Sequence, residues 1–109
     1  MDTMTLTLNH ASVPAVLYGS PSPQVWLCLH GKGGRKEEAE SFAQVVCPKG
    51  MEVLSIDLPG HGERRDRGEE FAPWTAVPDI REALDWAKHR WKAVSLRANS
   101  IGAYFVMLA

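Results

Sequence analysis

An α/β fold with a mostly parallel sheet is predicted for this chain on three observations. From residue 25 onward the hydrophobic periods alternate strand, helix, strand, helix, strand, helix, the order that crossover-connected parallel strands produce. The segments Val25-Trp26-Leu27-Cys28-Leu29 and Glu52 to Ile56 read as buried strands, because a run without polar alternation suits a strand covered on both faces. Three segments leaving strand ends, 30–34, 57–62 and 98–102, are rich in glycine or other small residues. Ligands of open parallel sheets bind beyond the carboxyl ends of the strands, so these loops are expected to converge on one site.

Taken in order, Met4 to Asn9 alternates with period two and reads as a half-buried strand. Val13 to Tyr18 is a second strand, closed by Gly19-Ser20-Pro21-Ser22-Pro23; these first strands are expected to pair antiparallel. After 30–34, a helix from about Glu37 to Val46 places Ala39, Phe42, Ala43 and Val46 on one face, and Pro48 stops it. A charged loop spans Glu63 to Glu70, and within it Glu63-Arg64-Arg65-Asp66-Arg67 is expected to be solvated and self-compensating rather than a grip for an anionic substrate. From about Thr75 to Trp91, Ile80, Ala83, Leu84, Ala87 and Trp91 recur at helical spacing. Asp79 in the first turn and Lys88 and Arg90 in the last suit the helix dipole. Val94 to Arg97 is a third short parallel strand, and Ser100 opens a further helix. Helices are expected on both faces of the sheet.

The chain has 109 residues, enough for one domain and too few for two. Its 12 basic and 13 acidic side chains leave a net charge of −1, which gives no global field to draw nucleic acid or an anionic membrane. The longest apolar run, Ala103 to Ala109, is far below the roughly 20 residues that span a bilayer. No secretory leader is read in the first thirty residues. Cys28 and Cys47 are isolated and expected to be reduced thiols, so a cytoplasmic location is expected.

Ala98-Asn99-Ser100-Ile101-Gly102 follows a strand and opens a helix. A nucleophile at such a junction sits on a sharp, strained turn that lifts its hydroxyl clear of the sheet, and the residues two before and two after it must be small. Ala98 and Gly102 meet that demand. The helix start behind Ser100 offers free N–H groups to a developing oxyanion. The simpler role for Ser100 is a helix N-cap. Its context favours the nucleophile, because His30-Gly31-Lys32-Gly33-Gly34 leaves a buried strand and can bring a second backbone N–H to the same oxyanion.

Through His30-Gly31 with its glycine tail, Asp57-Leu58-Pro59-Gly60-His61-Gly62 and Ala98-Asn99-Ser100-Ile101-Gly102, in that order, the chain resembles the amino-terminal half of an α/β-hydrolase, closest to small esterases and serine-peptidase-like hydrolases. The likeness runs from about residue 13 to the end. It implies Ser100 as nucleophile and the backbone N–H groups of Lys32 and Ile101 as oxyanion donors. It further implies that His30, Gly31, Gly33, Asp57, His61, Ala98 and Gly102 shape the loops, with no cofactor and no metal. Ala98 departs from the commoner glycine and is sterically acceptable. The implied reaction is hydrolysis of a small ester, thioester or amide through an acyl-serine.

The family's triad runs Ser, then Asp or Glu, then His. Only nine residues follow Ser100, none of them Asp, Glu or His. The expectation is therefore a single portion of one α/β-hydrolase domain over residues 1–109, a fragment or truncated product close to inert alone. Loss of a triad histidine costs on the order of 10⁶ in kcat. Within the chain His61 is the nearest stand-in for the base, His89 lying on a helix flank and His10 towards the opposite edge. The outer edge of the last strand is expected to lack a neighbour and to favour an edge-strand homodimer or aggregation, with Leu96, Phe105, Met107, Trp26, Trp86 and Trp91 losing part of their cover.

Other classes fit less well. A dinucleotide fingerprint needs glycine where Lys36 stands, although Asp57 ends the next strand as a ribose partner would. A phosphate-cradling loop needs Ser or Thr after Gly31-Lys32, where Gly33 stands. Cys28, Cys47, His30 and His61 are too few or too scattered for a metal. The non-enzymatic alternative is a remnant or interaction module that keeps the hydrolase scaffold.

Overall fold

The computed structural model describes residues 3–8 and 13–99. Five strands form one sheet: β1 (Thr3–Leu8), β2 (Val13–Tyr18), β3 (Gln24–Leu29), β4 (Glu52–Ile56) and β5 (Ala93–Ala98), in the spatial order β1-β2-β4-β3-β5. β1 and β2 pair antiparallel, as do β2 and β4, whereas β3 runs parallel to both β4 and β5. The sheet is thus mixed at one side and parallel where the loops of interest leave it.

α1 (Glu40–Val46) and α2 (Pro73–Arg90) cover opposite faces. On one face Ala76, Ile80, Ala83 and Ala87 of α2 pack on Val25, Leu27, Leu29, Leu54 and Ile56. On the other, Ala43 and Val46 of α1 meet Val16, Tyr18, Cys28 and Val53. The small alanines of α2 let the helix lie close to the branched side chains of the sheet. β3 to β4 steps one way along the sheet with α1 on one face. The step from β4 to β5 returns past β3 with α2 on the other face. Reversing both direction and face keeps one crossover hand.

Two expected boundaries move. Residues 36–39 form a 3₁₀ turn ahead of α1, because the Lys36 backbone is tied at both ends, its N–H to Asp57 and its carbonyl to Ser55. α2 starts at Pro73, whose fixed φ and missing N–H suit a first helical position. The Thr75 hydroxyl accepts the Ala72 amide at 3.2 Å and caps the start.

β5 pairs with β3 alone among the described residues. Leu96 on it is 39% exposed, whereas Trp91 keeps its cover at 7% and donates its indole N–H to Glu52 at 2.8 Å. Among the described residues no helix is long and apolar enough to cross a membrane. Cys28 and Cys47 are free thiols, and burial pushes the Cys28 thiol up to about 11.

Candidate active site

The carboxyl ends of β3 and β5 finish side by side. Leu29 stands opposite Ala98, and the ladder extends one step further, the Asn99 amide donating to the Leu29 carbonyl at 3.2 Å. His30 and Asn99 therefore leave the sheet from adjacent points. Ser100, Ile101 and Gly102 lie outside the described residues. So do the helix expected from Ser100 onward and His10.

Gly31 to Gly34 closes a turn, with the Gly34 amide donating to the Gly31 carbonyl at 3.0 Å. Its third residue, Gly33, has φ +83°, a conformation that L side chains resist. Lys32 stands exposed at the tip, and among the described residues nothing accepts its amide proton. An exposed, uncommitted amide beside a strand end is what an oxyanion donor requires.

Two imidazoles hold this turn against the loop after β4. His30 accepts the Leu58 amide on Nε2 at 3.0 Å. Its Nδ1 lies 2.8 Å from the Gly31 carbonyl. Because a backbone amide can only donate, Nε2 is the acceptor and Nδ1 carries the proton. His61 repeats the arrangement from the other loop: its Nε2 accepts the Gly33 amide at 2.9 Å, and its Nδ1 is 3.0 Å from the Pro59 carbonyl. The two rings are 4.9 Å apart, and Phe71 meets His61 edge-on at 4.4 Å. His61 is thereby engaged at both nitrogens. It stands as a loop brace in this arrangement, and a proton taken up on its Nε2 would cost the bond to Gly33. His89 is exposed and bonded to its own helix through the Asp85 carbonyl.

Asp57 anchors the second loop from below. It is fully buried, at 0% exposure, and accepts the amides of Lys36 and Glu63 at 2.8 and 3.0 Å and the Lys36 ammonium at 2.9 Å. A Cβ at Gly62, where φ is +55°, would overlap that carboxylate, so glycine is required there. Lys36 is itself only 1% exposed and also pairs with Glu63 and Glu37. Burial pushes its ammonium down, but the bonds from Glu63, Asp57 and Glu37 outweigh burial and hold it above the ordinary lysine value. On the far side Arg64 donates to Glu69, to Asp79 of α2 and to the Asp57 carbonyl. At 4% exposure Arg64 is the buried member of a loop whose other charged side chains are exposed or half-buried; its pairing with Glu69 keeps compensation within the loop, and Asp79 extends it to α2. Its guanidinium draws the Glu69 carboxyl below the usual range.

Neither buried cation was singled out from the sequence. Lys36 had one available signal. A lysine in the first helical turn opposes the dipole, so it implies a specific acid elsewhere. Arg64 had none, because Asp79 is fifteen residues away on another element.

Burial, the largest influence, and the neighbouring His61 hold His30 below its ordinary 6.5, against the Gly31 carbonyl, Asp57 and Glu38. The folded chain then binds fewer protons than the unfolded one as pH falls through that value. Stability contributed by neutral His30 is present above pH 6.5 and is lost below it. Urea melts at pH 7.5 and 5.5 are expected to show a lower midpoint at the acid pH, with that difference reduced in His30→Gln.

At the strand ends a crevice of about 20 Å³, lined by His30, Arg35, Glu38, Arg97 and Asn99 among others, has room for about one water. A larger groove of about 640 Å³, between Met4, Pro21, Glu52, Arg90 and Trp91, lies at the opposite ends of the parallel strands and takes no part in this site.

No family model matches the chain. It is 28% identical over 106 residues to a probable serine hydrolase of Drosophila melanogaster, a match covering 93% of this chain and 30% of that protein. A thioesterase domain from a curacin biosynthetic pathway superposes with a TM-score of 0.78 at 21% identity, over 99% of this chain and 40% of its own. An epoxide hydrolase of Vigna radiata does so with a TM-score of 0.72 at 19% identity, over 98% and 33%. The chain spans about a third of the length of the curated relative it matches.

Proposed function

From the α/β-hydrolase fold that these likenesses give the chain, we propose that it supplies the nucleophile and the oxyanion loop of a serine hydrolase acting on a small-molecule ester, thioester or amide. One observation carries the reading. The ladder between β3 and β5 runs to Asn99, so the residue that precedes Ser100 in sequence leaves the sheet next to His30, at the base of the turn that exposes the Lys32 amide.

In this reading the Ser100 oxygen attacks the substrate carbonyl carbon and its proton passes to a histidine. The carbonyl oxygen, now negative, accepts hydrogen bonds from the Lys32 and Ile101 amides. As the tetrahedral intermediate collapses, the bond to the leaving group breaks and that group takes the proton. Water then releases the acid from the acyl-serine by the same steps. His30 and His61 are committed to bracing loops, so the base and its partner acid belong to a segment outside residues 1–109. This portion of the domain is then close to inert alone. The free thiols Cys28 and Cys47 suit the cytoplasm. Should the chain act alone, the open edge of β5 is the seam for a homodimer.

The test is covalent. The protein as its cell makes it is treated with a fluorophosphonate, and the modified peptide is sequenced. The adduct is expected on Ser100. Labelling at another residue, or none, would reject the serine mechanism and favour a non-catalytic scaffold.

A further inference from the structure

We propose that His30 and His61 form a reciprocal staple, each imidazole accepting an amide proton across the gap between loops 30–34 and 57–62, and that protonation of His61 is an acid-operated release of the turn presenting Lys32. The regulatory consequence rests on the hydrolase reading above; the staple itself does not.

The reciprocity is in the geometry. His30 sits on the first loop and accepts the Leu58 amide of the second, at 3.0 Å. His61 sits on the second and accepts the Gly33 amide of the first, at 2.9 Å. In both rings Nδ1 faces a carbonyl, of Gly31 or Pro59, which fixes the Nδ1–H tautomer and leaves Nε2 as acceptor. A proton added to either Nε2 would point one N–H at another, and the bond would be lost. A charge on one ring would also lie 4.9 Å from its neighbour.

The rings differ in access. His30 is 3% exposed, whereas His61 is half-buried and open to solvent on one side. The groups around the pair are few. Phe71 meets His61 edge-on and carries no charge. Asp57, near His30, is committed to Lys36, and Glu38 accepts the Arg35 amide. Among the described residues no carboxylate pairs with His61 to hold its proton in place. Release is local, because Asp57 and Lys36 keep the second loop anchored while Gly33 and the adjoining Lys32 amide lose their fixed aim.

The experiment is NMR on the ¹⁵N-labelled chain between pH 8 and 5. Neutral His61 is expected as the Nδ1–H tautomer, and the Gly33 amide is expected to lose about tenfold in protection factor as His61 titrates. The Gly50 amide, bonded to the distant Cys47 carbonyl, should not change and serves as the reference. In His61→Gln the side-chain oxygen can still accept the Gly33 amide but cannot titrate, so protection should persist and the pH step vanish. An Nε2–H tautomer in the unmodified chain, unchanged Gly33 protection through the His61 titration, or a step that survives in His61→Gln would each overturn the staple. Ser100→Ala should leave every one of these readings unchanged. Failure of the serine mechanism and failure of the staple are therefore separable.

Discussion

Replacing Ser100 by alanine is expected to lower kcat by on the order of 10⁶ in the protein as its cell makes it, with KM for the same ester changing much less. The oxyanion amides and the binding surface survive that change, so a residual rate of roughly 10³–10⁴ over water is expected. Ester hydrolysis followed over hours, with the purified variant checked for contaminating esterase by fluorophosphonate labelling, measures both numbers. A loss of less than about tenfold would leave Ser100 as a helix cap and nothing more. The effect is large because nucleophile, base and acid act as a unit. Removing one leaves the others with no proton to move.

The second large effect concerns stability. Lys36→Met is expected to cost about 3–5 kcal/mol, because it leaves the Asp57 carboxylate, at 0% exposure, without its counter-charge. Asp57→Asn is expected to cost less, about 1–3 kcal/mol. Lys36 would keep Glu63 and Glu37 as partners, but an amide nitrogen would face donors that now meet a carboxylate oxygen. The double variant Lys36→Met with Asp57→Leu should not recover stability, since the Lys36 and Glu63 amides would both lose their acceptor. Urea unfolding with a constant slope gives the three values. A Lys36→Met variant within about 0.5 kcal/mol of the parent would mean that the buried pair does not hold the two loops together.

What could be read from sequence differs by element for physical reasons. β4 has the expected limits, Glu52–Ile56, because a strand buried along its whole length leaves an unbroken signal between two turns. The first helix was legible by period but not in its opening turn. There a tertiary contact, Asp57 to the Lys36 backbone, decides the geometry. Asp57 and His61 were read as loop-shaping residues from the resemblance alone, and the structure gives each a specific partner, the Lys36 and Gly33 amides. Arg64 gives no local sign of its burial, because charges of both signs along a loop ordinarily compensate one another in water. Its partner Asp79 lies on α2 and cannot be seen from local spacing.

The reading depends most on where the Ser100 hydroxyl lies relative to the turn at Lys32. A crystal structure of the fluorophosphonate adduct measures this directly. The phosphonyl oxygen is expected about 2.7–3.1 Å from the backbone nitrogens of both Lys32 and Ile101. An adduct oxygen beyond hydrogen-bond reach of the Lys32 nitrogen, or a Ser100 enclosed within an unbroken helix, would contradict it.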